Sequence, residues 1–79
     1  MVRRQRNVDI VRAARIFENP VLQSADRRED YGEDRFIAIG FVDNEFYVVV
    51  WTPRGDRRRL ITAWKAGSDE RRAYRKRHP

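Results

Sequence analysis

The sequence predicts an α+β domain, a small antiparallel sheet of about four strands with one helix before it and one after it. Three observations carry that prediction. Apolar residues recur three and four apart between Ile10 and Phe17. Two runs rich in β-branched and aromatic residues, 36–42 and 46–51, flank an Asp43-Asn44 turn. A Gly67-Ser68 break then separates a third such run from a strongly charged C-terminal stretch.

Residues 1–7 are basic and polar and read as a helix end or a frayed tail. Over residues 9–18, Ile10, Ala13, Ala14 and Phe17 share one side of a helix. Asp9 is placed to cap it by accepting a backbone N–H, and Pro20 stops it by disfavouring helical geometry at Asn19. Residues 21–25 follow as a short strand, and 26–34 as a charged loop turning at Gly32. The next two strands are apolar on both faces. Ile37, Ile39 and Phe41 oppose Phe36, Ala38 and Val42, while Tyr47, Val49 and Trp51 oppose Phe46, Val48 and Val50. Such strands are central and need cover on both sides. Asp43 and Asn44 make the tight hairpin turn between them.

Pro53, Arg54, Gly55 and Asp56 form the following turn. In the strand over 57–64, alternation puts Arg57, Arg59, Ile61 and Ala63 on one face and Arg58, Leu60, Thr62 and Trp64 on the other, leaving the arginine end wet. Ser68 caps the last helix, Asp69 and Glu70 occupy its first turn, and Arg71, Arg72, Arg75, Lys76 and Arg77 load its later turns, as the helix dipole favours. Ala73 and Tyr74 give it only a narrow apolar seam. A sheet with two apolar faces needs two covers, and the sequence supplies one amphipathic helix and one polar one. The expectation is that an element precedes Met1 or that another chain, a partner or a second copy, covers the exposed face.

At 79 residues the chain is one domain with a thin stability margin. Cysteine is absent and His78 is the only histidine, which excludes disulfides and thiolate or histidine-cluster metal sites and suits a reducing cytoplasm. The apolar runs fall far short of the ~20 residues a membrane-spanning helix needs. No cofactor is implied. The net charge is +6, carried almost entirely by arginine. It is distributed as +3 over residues 1–25, −4 over 26–51 and +7 over 52–79. Arginine presents a planar fork of donors that matches phosphate. A basic C-terminal third beside an acidic middle therefore points to a phosphate-binding face.

Asp26-Arg27-Arg28-Glu29-Asp30-Tyr31-Gly32-Glu33-Asp34-Arg35, followed by Phe36-Ile37-Ala38-Ile39-Gly40, resembles the D-x-R-x-D-Y-G-E-x-R signature and strand of BrnT proteins. Arg59-Leu60-Ile61-Thr62-Ala63-Trp64-Lys65-Ala66 and Glu70-Arg71-Arg72-Ala73-Tyr74 are similar to that family's R-I-I-S-A-R-K-A and E-R-x-x-Y, and Phe17-Glu18-Asn19-Pro20 to its F-x-D-P. The resemblance runs from about residue 8 to residue 74. It implies a RelE-like ribonuclease fold, a type II toxin–antitoxin module, and a DNA-binding antitoxin, BrnA, that masks the toxin and represses their operon. The family's opening strand and most of its first helix, which ends in K-H-G, have no counterpart here, so the expectation is one shortened BrnT-like domain over residues 1–79. Arg6 replaces the histidine of K-H-G, and Trp64 stands where the family usually has arginine.

Cleaving RNA without a metal requires the ribose 2′-hydroxyl to attack its own phosphate, with one group taking a proton, one giving a proton, and cations stabilising the extra charge. Arg59, Lys65, Arg71 and Arg75 are the natural clamp, with Arg35 and Arg57 as further phosphate contacts; Arg59 and Lys65 match family positions. Glu70 is a base if burial raises its pKa and otherwise a dipole partner. Tyr74 donates a proton, stacks on a base, or packs the helix on the sheet. His78, next to the last residue, is expected to fray. Asp30 and Glu33 tether arginines, Tyr31 packs behind the loop, and the acidic middle segment is suited to a basic surface on the antitoxin. The leading reading is a ribonuclease toxin neutralised by a BrnA-like antitoxin. The rival is a non-catalytic BrnT-like module that binds RNA or antitoxin without cutting, and a basic ribosome-associated protein comes third.

Overall fold

The computed structural model describes residues 9–27 and 32–78; the expectations for residues 1–7, Arg6 included, and for Asp30 and Tyr31 fall outside these. The described chain has the predicted α+β order. A short helix α1 (Ile10–Ala13) continues as a 3₁₀ helix (Ala14–Glu18), followed by strands β1 (Leu22–Ala25), β2 (Phe36–Val42), β3 (Glu45–Arg54) and β4 (Arg57–Lys65), and by helix α2 (Ser68–Arg77). The four strands form an antiparallel meander in the order β1-β2-β3-β4.

One continuous N-terminal helix was expected, and the chain tightens halfway along it. Asp9 caps the start as anticipated, its Oδ1 accepting the N–H groups of Val11 at 3.0 Å and Arg12 at 3.4 Å. Beyond Ala13 the spacing falls toward three residues per turn, and the Asn19 N–H bonds to the Ile16 carbonyl at 3.0 Å. That change of period selects a different inward residue. Ala13 and Ile16 are fully buried, whereas Ile10, predicted for the apolar stripe, is 40% exposed.

The β2–β3 hairpin closes on Asp43 and Asn44, whose φ values of 52° and 67° are both left-handed, as a type I′ turn requires. The next turn is shorter than predicted. Pro53 and Arg54 extend β3, Arg57 opens β4, and Gly55 (φ 61°) with Asp56 makes the turn between them. Thr52, Pro53 and Arg54 run past the last β2 pair, Phe36 with Trp51, so proline's missing donor falls where β3 has a single neighbour.

A bulge changes the facing of β4. Val50 pairs with Thr62 but Trp51 pairs with Leu60, which leaves Ile61 as an extra residue. Strict alternation therefore gives the wrong faces below this point. Arg57 and Arg59 share a face with Thr62 and Trp64, while Arg58 and Leu60 turn to the side of Ala63 and Lys65. Leu60 packs on the same core as Ala63, and the Arg58 guanidinium lies 4.1 Å from the centre of the Phe17 ring.

The main core joins Ala13 and Ile16 to one sheet face through Ala38, Val42, Tyr47, Val49 and Ala63. Gly40 lets the 3₁₀ helix sit directly on β2, since a Cβ there would lie 2.9 Å from Ile16 Cβ and 3.1 Å from Val21 Cγ1. On the opposite face α2 buries only Tyr74, leaving the expected seam partner Ala73 exposed. The Tyr74 ring meets Phe46 and Phe41 edge-on at 5.4 and 6.0 Å. Val48 and Val50 on this face are buried, and Ile37, Ile39 and Trp64 are half-buried.

Candidate functional site

β4 ends at Lys65, where the Ala66 N–H still bonds to the Phe46 carbonyl at 3.0 Å, and Gly67 then turns the chain into α2. This short connection brings strand end and helix together. Lys65, Arg71 and Arg75 line one open concavity with Asn44, Glu45 and Phe46. Arg71 and Arg75 are one turn apart on α2. Arg71 Nη1 donates to the Ala66 carbonyl at 3.2 Å, and the Arg75 guanidinium sits 5.4 Å from the Phe46 ring centre.

Glu45 forms the polar wall of this concavity. Its Oε1 accepts from the Tyr47 hydroxyl at 2.7 Å, and its Oε2 lies 3.4 Å from Lys65 Nζ. The Tyr47 hydrogen bond, followed by Lys65, holds the Glu45 carboxyl below its ordinary pKa, so it is ionised at neutral pH. Arg12 Nε donates to the Tyr47 hydroxyl at 3.3 Å, and the same guanidinium bridges to Asp43 at 3.2 Å. Glu45 was absent from the residues singled out in the sequence. Its nearness to Lys65 depends on the β3–β4 register, in which Tyr47 faces Lys65, and no local motif signals that.

The other predicted residues lie elsewhere. Arg57 and Arg59 stand at the far end of β4, and Arg59 and Lys65, whose partners Thr52 and Tyr47 are five residues apart on β3, are separated by about 17 Å of strand. Arg35 belongs to that far end as well, just before the Phe36–Trp51 pair, and its Nε bonds to Glu33 at 3.1 Å. Glu33 also reaches Arg54 at 4.0 Å. Glu33, Asp43 and Glu45 are thus each matched by cations of the same chain.

Glu70 accepts the Gly67 N–H and so completes the start of α2, where Gly67 rather than Ser68 occupies the capping position. Tyr74 is 4% exposed, its hydroxyl donates to the Pro20 carbonyl at 2.7 Å, and burial raises its pKa. His78, expected to fray, is exposed but makes two contacts. Its ring lies 4.9 Å from that of Tyr74, and its Nε2 is 3.3 Å from the Val21 carbonyl.

Among the described residues no group of three or more His, Cys, Asp or Glu is arranged to hold a metal ion, and no helix is long and apolar enough to cross a membrane. No curated protein and no solved structure matches the chain, so the RelE-like character rests on the resemblance alone. One family model does match, over residues 2–70: the ribonuclease toxin, BrnT, of type II toxin–antitoxin systems.

Proposed function

Because the chain belongs to the BrnT family of ribonuclease toxins of type II toxin–antitoxin systems, we propose that it cuts RNA at the concavity beside Lys65 and is neutralised by a BrnA-like antitoxin. The observation that carries this reading is the convergence of Lys65, from a strand end, with Arg71 and Arg75, from a helix, on one open surface. Both partners belong to the cytoplasm, where we place the activity. In the proposed reaction the 2′-oxygen attacks phosphorus, its proton passes to a base, and the P–O5′ bond breaks as the 5′-oxygen takes up a proton. A 2′,3′-cyclic phosphate is left. The three cations hold the phosphate and stabilise the charge that develops on its oxygens. Glu45, ionised and on the wall of the same concavity, is the nearest proton acceptor. Glu70 and Tyr74 act as positioning residues that fix α2, and Arg59 has no part in this clamp.

A second reading, RNA or antitoxin binding without cleavage, draws support from the same bonds. Glu70 and Tyr74, the two proton-transfer residues expected from the sequence, are both engaged in structural hydrogen bonds. A depressed pKa also makes Glu45 a weak base. Incubating the purified chain with a structured RNA in the presence of a chelator separates the two. Cleavage is expected, and Lys65→Ala or the Arg71→Ala, Arg75→Ala pair should slow it by about 10²-fold or more. Arg59→Ala should leave the rate within a few-fold. RNA left intact by well-folded protein supports the binding module, and cleavage lost only in Arg59→Ala moves the site to the far end of β4.

A further inference from the structure

The bulge at Ile61 places Arg57, Arg59, Thr62 and Trp64 along one face of β4, from the hairpin tip toward α2, while Lys65 at the strand's end faces the other side. Arg54 stands directly across from Arg57 on that face, a like-charge pair that destabilises a hairpin unless an anion lies between. Among the described residues no carboxylate pairs with Arg57 or Arg59, and Arg54 has Glu33 at 4.0 Å. The three guanidinium groups therefore have donors to spare. The two tryptophans differ in a way that bears on what fills this face. Trp51 is packed on Phe36 at 5.1 Å and Phe17 at 6.0 Å, with its indole N–H bonded to Gln23 at 3.0 Å. Trp64 is half-buried, and among the described residues it contacts no other ring and its N–H has no hydrogen-bond partner. An aromatic ring in line with cations along one strand face suits the base and phosphate groups of a single strand. An acidic protein segment would satisfy the arginines but gives the indole no flat partner.

We propose that this face of β4 is a track for single-stranded RNA, in which Trp64 stacks on a base and Arg59, Arg57 and Arg54 hold phosphates farther along, the RNA entering the concavity past Phe46, which shares Trp64's face. The inference rests on the reading of the Lys65 concavity as the phosphate site. The track from Trp64 to Arg57, whose partners Val48 and Arg54 are six residues apart on β3, covers about 20 Å, roughly six nucleotides at a stacked spacing of ~3.4 Å. It is a binding surface and adds no step to the reaction.

The test uses the full chain and oligoadenylates of two, six and ten nucleotides with 2′-O-methyl riboses, which cannot attack their own phosphates. Tryptophan fluorescence should be quenched on binding, with affinity rising to about six nucleotides and then levelling. Trp64→Phe should keep the affinity within a few-fold and abolish most of the quenching, since Trp51 is packed away. Trp64→Ala should weaken binding about tenfold or more. The Arg57→Ala, Arg59→Ala pair should weaken the ten-mer but not the two-mer, and should lower the salt dependence. Length-independent affinity, or quenching that persists in Trp64→Phe, overturns the track. Polyglutamate quenching Trp64 better than RNA also overturns it and makes this face a protein-docking surface. If Lys65→Ala abolishes cutting while the Trp64 and arginine variants bind and cut like the parent, the track fails and the concavity stands; length-dependent quenching in a chain that never cuts removes the nuclease reading instead.

Discussion

Gly40 is the point at which the 3₁₀ helix and the sheet touch with nothing between them. A methyl group there must push against Ile16 Cβ at 2.9 Å and Val21 Cγ1 at 3.1 Å, neither of them the end of a flexible side chain. Gly40→Ala should therefore lower stability by about 1–3 kcal/mol, read as a shifted denaturation midpoint with an unchanged slope. Tyr74 is a second residue whose role a single atom decides. Tyr74→Phe removes the bond to the Pro20 carbonyl and should cost roughly 1 kcal/mol while leaving RNA cleavage intact. A large loss of cleavage at unchanged stability would instead give the hydroxyl a role in proton transfer. Glu45 makes the protein sensitive to acid. Because its pKa is lower in the folded chain than in the unfolded one, its stabilisation is complete above the ordinary glutamate range and is lost as pH falls through the folded value. Glu45→Gln should flatten the decline of the denaturation midpoint between about pH 5 and pH 3.

The hairpins show why some elements can be read from the text and others cannot. Asp43-Asn44 between two doubly apolar runs specifies a tight turn locally, and the observed left-handed φ values follow from that chemistry. Asn44→Gly should accordingly leave the denaturation midpoint nearly unchanged, whereas Asn44→Val should lower stability by about 1–2 kcal/mol. The order of strands and the charge gradient of α2 were legible for the same reason, being written in neighbouring residues. The bulge at Ile61 was not, because it is a mismatch between β4 and its partner β3 that alternation along β4 alone cannot express. The tightening after Ala13 is equally invisible, since the contact at Gly40 decides whether Ala14 or Ile16 faces the sheet. The site divides along the same line. Lys65, Arg71 and Arg75 could be gathered from their closeness in sequence, but Glu45 enters through register, and Arg59 leaves because a strand separates its ends.

Taken together, the positive charge of the last third is divided between two ends of β4, one beside α2 and one at the β3–β4 tip, and the acidic middle segment supplies Glu33 to one and Glu45 to the other. The two covers of the sheet are held very differently. The N-terminal cover contributes Ala13 and Ile16 to the core, while α2 buries Tyr74 alone and is fastened by that residue's ring and hydroxyl and by His78. A helix with so little buried surface opens at lower cost than the central strands, so its amides should exchange with deuterium well before those of β2 and β3. Arg71 and Arg75 ride on that loosely fastened helix, and Lys65 does not. An anion seated among the three would rivet the helix to the strand, making protection of α2 a direct gauge of occupancy and giving the bound nucleotide a share in completing the domain.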